Sequence, residues 1–320
     1  MASDLFGEPR PRECDDEKRI EPFSNSPSPS DQIQNDSGGN LDLVTYDDLP
    51  SWYQDNPFVT RHYRPVSQSV KTCLKSWTRL HNESVNIYSH LIPAVVLFLG
   101  EGYVLAYLCV RYPRLTAGDY GVFAFLLLAA TACFGVSASY HTLMCHSEEI
   151  ERIWLRLDLV GIVILILGCF FSGVYVAFWC EAWQRMVYWS MIGSLAFLSI
   201  VIVLAPVFQG LKFRTFRLLT FVCMGLSGIA PVIHGIKMFG FAQMIKQSGL
   251  PYYLAEGGLF LLGAVVYVVR FPECIFPGKF NLFGSSHQVF HVLVVLATVL
   301  HLMGVLYAFD YNYYNRQCSL

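Results

Sequence analysis

Two histidines stand four residues apart in GSSHQVFHVLVVL, residues 284–296. On a helix that spacing puts both side chains on one face, a turn apart, so His287 and His291 can converge on one ion. A second pair at the same spacing, Ser137 and His141, lies in SASYHTLMCHSEE, and LRLDLVGIV carries Asp158. Imidazoles and carboxylates in apolar runs are costly unless they are paired or ligated. Three neutral imidazoles suit zinc, held tetrahedrally, and three protein ligands leave a fourth position for water, the pattern of catalytic sites. Zinc lowers the pKa of that water to about 7. Asp158 could then hold the water, accept its proton, or orient a histidine from behind. Ser137 could hydrogen-bond the water or a substrate carbonyl. A hydroxyl bonding back to its own helix is an equally good account of Ser137, and a lone membrane histidine is more often a hydrogen-bonded core residue. HxxxH is a weak signal until the elements around it are placed.

Those elements are membrane helices. Of 320 residues, 54% are hydrophobic and only 14% charged, against roughly a quarter charged in soluble domains. The net charge of −2, with no basic-aromatic patch, gives no sign of nucleic acid binding. A membrane helix needs about 20 mostly apolar residues, and seven such runs occur, at 88–110, 120–144, 157–179, 186–207, 216–237, 251–270 and 287–309. Charged or Gly/Pro-containing breaks separate them. Eleven Lys and Arg flank the runs on one side and six on the other, so the positive-inside rule puts the N-terminus in the cytosol and the C-terminus outside. The second run then ends, and the third and seventh begin, at the inner face. His141, Asp158, His287 and His291 come to nearly one depth, and a shared metal accounts for all four.

The remaining sequence divides around that bundle. Residues 1–45, rich in Ser, Pro, Asn and Gly, are expected to form a disordered cytosolic tail. Residues 46–87 are a cytosolic and interfacial segment, 88–309 the membrane domain, and 310–320 a short extracytosolic tail. The first residues lack the apolar core of a signal peptide. Cys318 is one position short of a prenylation motif. The sequons at Asn35 and Asn82 fall on the inner side and are expected to stay unmodified. In VSQSVKTCLKSWTRL, Val66, Val70, Cys73, Leu74, Trp77 and Leu80 share a helical face, which suits an amphipathic helix at the interface or one packed on the inner loops. Ten singly spaced cysteines read as reduced or membrane-buried thiols. Glu83, Asn86 and His90 read as hydrogen-bonding residues near the metal. Glu101, His234, Glu256 and His301, in the outer half, could meet as a proton relay or second cation site, but separate interhelical contacts are the expectation. Gly225 with Gly228, and Gly168 with Gly173, are expected to permit close helix packing.

Over about residues 46–309 the chain resembles the progestin and adipoQ receptor family, which includes the adiponectin receptors and haemolysin III-related proteins. The resemblance rests on YDDLPSWYQDNPF, HNESVNIYSHLI, SASYHTLMCHSEE, LDLVGI and FPGKFNLFGSSHQVFHVLVV, in that order. Ser137 and His141 match the family's SxxxH, Asp158 its aspartate, and His287 and His291 its HxxxH. The resemblance implies an all-α, seven-helix integral membrane protein with a cytosolic N-terminus and an intramembrane zinc, and kinship with alkaline ceramidases. The function it implies is hydrolysis of a lipid amide such as ceramide, linked to lipid signalling. The alternative is a receptor, or a protein of metal or sterol homeostasis, whose zinc is structural. A ceramide-like membrane lipid is the expected partner. The outer loops are too short to assign an extracellular ligand, and the plasma membrane and the endomembranes (ER/Golgi) fit equally.

Overall fold

The computed structural model describes residues 42–318. Most of the expected N-terminal tail, with the sequon at Asn35, lies outside these residues. Ten helices follow in order: α1 (Val70–Lys75), α2 (Ser84–Arg111), α3 (Ala117–Leu143), α4 (Glu148–Ala177), α5 (Ala182–Leu204), α6 (Arg214–Leu226), α7 (Ile229–Phe239), α8 (Phe241–Ser248), α9 (Leu250–Val269) and α10 (Ser286–Asn315). Seven helical segments are long and apolar enough to cross a membrane: α2, α3, α4, α5, the joined α6–α7, α9 and α10. They correspond one for one to the seven runs read from the sequence. Their outward faces remain apolar, with Val96, Phe98, Leu99, Tyr103, Phe197 and Leu254 all exposed, as a bundle solvated by lipid requires.

Several ends differ from expectation. The third span begins at Glu148, nine residues early, because polar residues continue the helix below the apolar run, and Glu151 is buried there within reach of the Tyr140 hydroxyl at 3.4 Å. The last helix runs on to Asn315, through much of the expected tail. Asp310 and Asn312 read as its end, yet Asn312 is fully buried, donating to the Val176 and Gln247 carbonyls at 2.9 and 2.7 Å. The fifth span is broken at Ser227–Gly228, where the Ser227 hydroxyl bonds back to the Met224 carbonyl at 2.6 Å.

Residues 42–83 fold over one end of α3. Val44 pairs with Tyr63 through backbone bonds of 2.8 and 3.1 Å, so the folded part starts before residue 46. Leu49, Tyr53, Val59, Tyr63 and Cys73 make a small core with Met144 and Cys145. The expected amphipathic helix is shorter than its pattern. It spans α1 and one tight turn over Ser76–Thr78, with Ser69 capping it by accepting from the Thr72 amide. One edge packs: Cys73 is buried, and the Trp77 indole donates to Thr142 Oγ1 at 3.0 Å. Val70, Leu74 and Leu80 stay exposed on the other edge. Asn82 is buried with its amide turned to Glu83, which suits an unmodified sequon.

The cysteine reading needs correction. Cys180, after α4, is disulfide-bonded to Cys318, after α10, across a separation of 138 residues. No spacing motif announces such a pair, since only the return of the last helix brings the two together. At the opposite end of the bundle Cys73 and Cys145 are free, their sulfurs 3.5 Å apart. Disulfides persist in oxidising compartments, so this distribution agrees with a C-terminus outside.

The glycines divide as well. A Cβ on Gly168 would sit 2.8 Å from the Ala129 Cβ, and one on Gly228 would sit 3.1 Å from the Phe170 ring, so these two do allow close packing. Gly225 has open space, and Gly173 faces Tyr253 and His301 at ordinary contact distance. Gly168→Ala is therefore expected to force α3 and α4 apart, at a cost of about 1–3 kcal/mol. Gly225→Ala should be neutral or gain up to about 1 kcal/mol from helix propensity. Melting temperatures in detergent test the contrast, and equal effects of the two changes would refute it.

Candidate metal centre

The inner end of the bundle is built so that three imidazoles meet. Arg64, almost fully buried, donates to the carbonyls of His141 and Thr142 at 2.6 and 2.9 Å and to Ser76 Oγ at 3.0 Å, locking the end of α3 that carries His141. The start of α10 is fixed by Glu273, buried and accepting from the backbone amide and hydroxyl of Ser286, beside His287. Gln288 ties the same turn to the segment leading into α2 by donating to the Asn82 carbonyl at 3.1 Å.

The donor atoms of His141, His287 and His291 all lie within 4.8 Å of one another. Ring centroids are 5.0 Å apart for His141–His287 and 4.8 Å for each of the other two pairs. His141 and His291 are buried and His287 half-buried. His141 Nδ1 lies 2.8 Å from Glu83 Oε2. His291 Nδ1 lies 3.2 Å from the Asn86 carbonyl oxygen. Each partner is an acceptor, so each Nδ1 carries the proton and Nε2 is left as the ligating atom, a carboxylate or carbonyl behind the ligand as in known metal sites. His141 Nε2 and His287 Nε2 approach to 3.3 Å. Two ring nitrogens so close need a proton or a cation between them. The donor set therefore fits a borderline ion such as zinc.

Glu83 also accepts from the side-chain amides of Asn86 at 2.6 Å and Asn82 at 2.8 Å. Burial pushes its carboxyl up, but the hydrogen bonds from His141 and Asn86, with His287 nearby, outweigh burial and hold it at about 2. Glu83 is thus a carboxylate at neutral pH, one negative charge behind the histidines. Asp158, on α4, lies near enough to Ser137 and His141 to interact with both. Ser137 is buried. All five residues singled out by the sequence come to one end of the bundle: three form the cluster, and Ser137 and Asp158 adjoin it.

Sequence reasoning missed Arg64, which it counted only as a basic flank, and Glu273. It placed Glu83, Asn86 and His90 near the centre without their contacts. His90 stacks on His291 with centroids 3.8 Å apart and planes 5° from parallel, so it holds that ring from α2. HNESVNIYSHL did carry a signal, since Glu83, Asn86 and His90 recur at helical spacing. Of the four outer residues, His301 and Glu256 do meet, at 2.7 Å. His234 pairs separately with the Tyr188 hydroxyl at 2.8 Å. Glu101 lies on α2 between the exposed Leu99 and Tyr103.

Residues 78–302, taking in the first six crossings, the first part of the seventh and all three histidines, match the Haemolysin-III related family. The chain belongs to that family. Among haemolysin-III related proteins it is 39% identical over 267 residues to the ADIPOR-like receptor IZH1 of Eremothecium gossypii, covering 82% of this chain and 83% of that one. It is 36% identical over 275 residues to the adiponectin receptor protein of Drosophila melanogaster, covering 86% of this chain but only 61% of that longer protein. Human progestin and adipoQ receptor family member 3 is 31% identical over 275 residues, covering 85% of this chain and 87% of its own. An adiponectin-receptor-like, multi-pass integral membrane protein is thereby established.

Proposed function

We propose that the inner three-histidine centre holds zinc and that the protein hydrolyses a lipid amide of the ceramide class. The observation that carries this reading is the convergence of His141, His287 and His291, with His141 backed by the Glu83 carboxylate at 2.8 Å. A zinc ion there would acidify a water and polarise a carbonyl oxygen. Glu83 and the Asn86 carbonyl fix two of the imidazoles in the ligating tautomer. Asp158 takes a proton from the attacking water and returns it to the amide nitrogen as that nitrogen leaves as an amine, so amide and water give fatty acid and amine. Ser137 orients the Asp158 carboxylate.

A cavity close to the histidines is the space a polar substrate headgroup would use. A cavity of about 210 Å³ opens between α6 and α9, lined by Arg214, Thr215, Tyr267, Val268 and Arg270. The Tyr267 ring, in its wall, lies 5.3 Å from the ring of His287, the least buried of the three histidines.

The word receptor in the relatives' names favours a second reading, in which the protein is a receptor and any zinc is structural; a role in metal or sterol homeostasis belongs to the same non-catalytic alternative. Fatty-acid release from ceramides of several chain lengths by the purified, zinc-loaded protein in detergent separates the two. Release that stops on chelation is the expected result. No release from any of them, with zinc bound, leaves the receptor reading in its place. The plasma membrane and the endomembranes suit either reading.

A further inference from the structure

A second cluster lies deeper along the same last helix. Cys169 of α4, Glu256 of α9 and His301 of α10 are all buried, and their ligand atoms lie within 4.8 Å of one another. His301 is ten residues beyond His291, about 15 Å farther along α10 at 1.5 Å per residue, in the half of the bundle that ends at the disulfide.

The hydrogen bonds around His301 restrict what the cluster can hold. Ser172 Oγ lies 2.8 Å from the Gly168 carbonyl and 3.1 Å from the Cys169 carbonyl, so its one proton can bond back to its own helix. The same oxygen is 2.9 Å from His301 Nε2, and with its proton turned back to the helix it accepts from Nε2. That leaves Nδ1 facing Glu256 Oε2 at 2.7 Å. A ring nitrogen and a carboxylate oxygen at that distance are two acceptors unless a cation lies between them. The cation is either a proton or a metal ion.

Cys169 favours the metal. A shared proton needs only the carboxylate and the imidazole. A sulfur brought by another helix to within 4.8 Å of both gives a metal its third donor. Charge permits it: a thiolate formed on metal binding, a carboxylate and a neutral imidazole carry two negative charges, which a divalent ion cancels. Mixed S, O and N donors suit zinc and its neighbours. Ser172 then plays the part that Glu83 plays at the inner site, fixing the tautomer from behind. The Tyr253 hydroxyl, buried without a hydrogen-bond partner, belongs to a ring 5.1 Å from that of His301 and is a polar group at hand for the fourth position. We infer that Cys169, Glu256 and His301 form a second, outer-half site for a zinc-class divalent cation. This inference is independent of whether the inner centre is catalytic.

Cobalt(II) tests it, because only a cysteine-containing site gives a thiolate-to-cobalt charge-transfer band, and the inner centre offers nitrogen donors alone. Full-length protein in detergent, stripped and reloaded with Co²⁺, should bind about two ions per chain and show the band. His287→Ala should lose one ion and keep the band. Cys169→Ser should lose one ion and the band while keeping its melting behaviour within the range of the wild-type metal-free protein. Glu256→Gln, which retains size and hydrogen bonding, should weaken the band-forming affinity by more than about tenfold, the lower end of the loss when a group merely supporting a ligand is changed. A wild type that loads the inner centre without a thiolate band holds only a proton at the outer cluster, and the inference fails. A band that survives Cys169→Ser assigns it to another thiol and overturns the inference equally.

Discussion

His141→Ala, His287→Ala and His291→Ala are each expected to abolish tight zinc binding at the inner centre. Each change removes one of three protein ligands whose donor atoms lie within 4.8 Å, and no other His, Cys, Asp or Glu among the described residues joins that group. Structural zinc in small domains contributes about 10–16 kcal/mol of binding free energy, so losing one ligand of three is among the largest single-residue effects this fold can show. Glu83→Gln is expected to be milder, about 10–100-fold in affinity, because the amide still reaches His141 but no longer offers a full carboxylate to Nδ1. His234→Ala is the comparator: that ring meets Tyr188 and lies in neither donor cluster. Elemental analysis of zinc per chain, with melting temperature on the same samples, reads the series. If His234→Ala strips the inner metal while His287→Ala retains it, the ligand assignment is wrong.

The parts of this picture that were legible in the sequence are those fixed by periodicity and length. Seven crossings follow from apolar runs long enough to span a bilayer. The depth argument then brings His141, Asp158, His287 and His291 together, because it needs only the direction of each crossing and the distance from its end. What escaped depends on contacts between elements. Arg64 looks like one more basic flank until its guanidinium is seen to hold the His141 and Thr142 carbonyls. Glu151 and Asp310 look like helix ends because they are charged, whereas both helices run on into packed, polar surroundings. Cys169 sits alone in LILGCFFSGV, and a single cysteine has no spacing signature. Only the approach of α9 and α10 to α4 gives it Glu256 and His301 as neighbours. The disulfide was hidden for the same reason, its halves lying 138 residues apart.

Asp158→Asn separates chemistry from scaffolding. The substitution keeps the side chain's size and its reach to Ser137 but removes the charge and the capacity to carry a proton. Asp158 is outside the three-histidine group, so the variant is expected to fold, to retain zinc and to melt near the wild-type temperature. If Asp158 moves the proton from water to the departing amine, hydrolysis should fall by about 10²–10⁴-fold, the usual worth of a positioned acid or base. Ser137→Ala, which removes only the group orienting that carboxylate, should cost less than Asp158→Asn and should not lower metal content. Under the structural-zinc reading the order inverts: His291→Ala lowers the melting temperature strongly, and Asp158→Asn leaves signalling unchanged. Zinc content, melting temperature and fatty-acid release therefore belong on the same preparations. A zinc-loaded, stable Asp158→Asn with undiminished release would remove Asp158 from the chemistry and leave the proton to be carried by some other group at the inner end of the bundle.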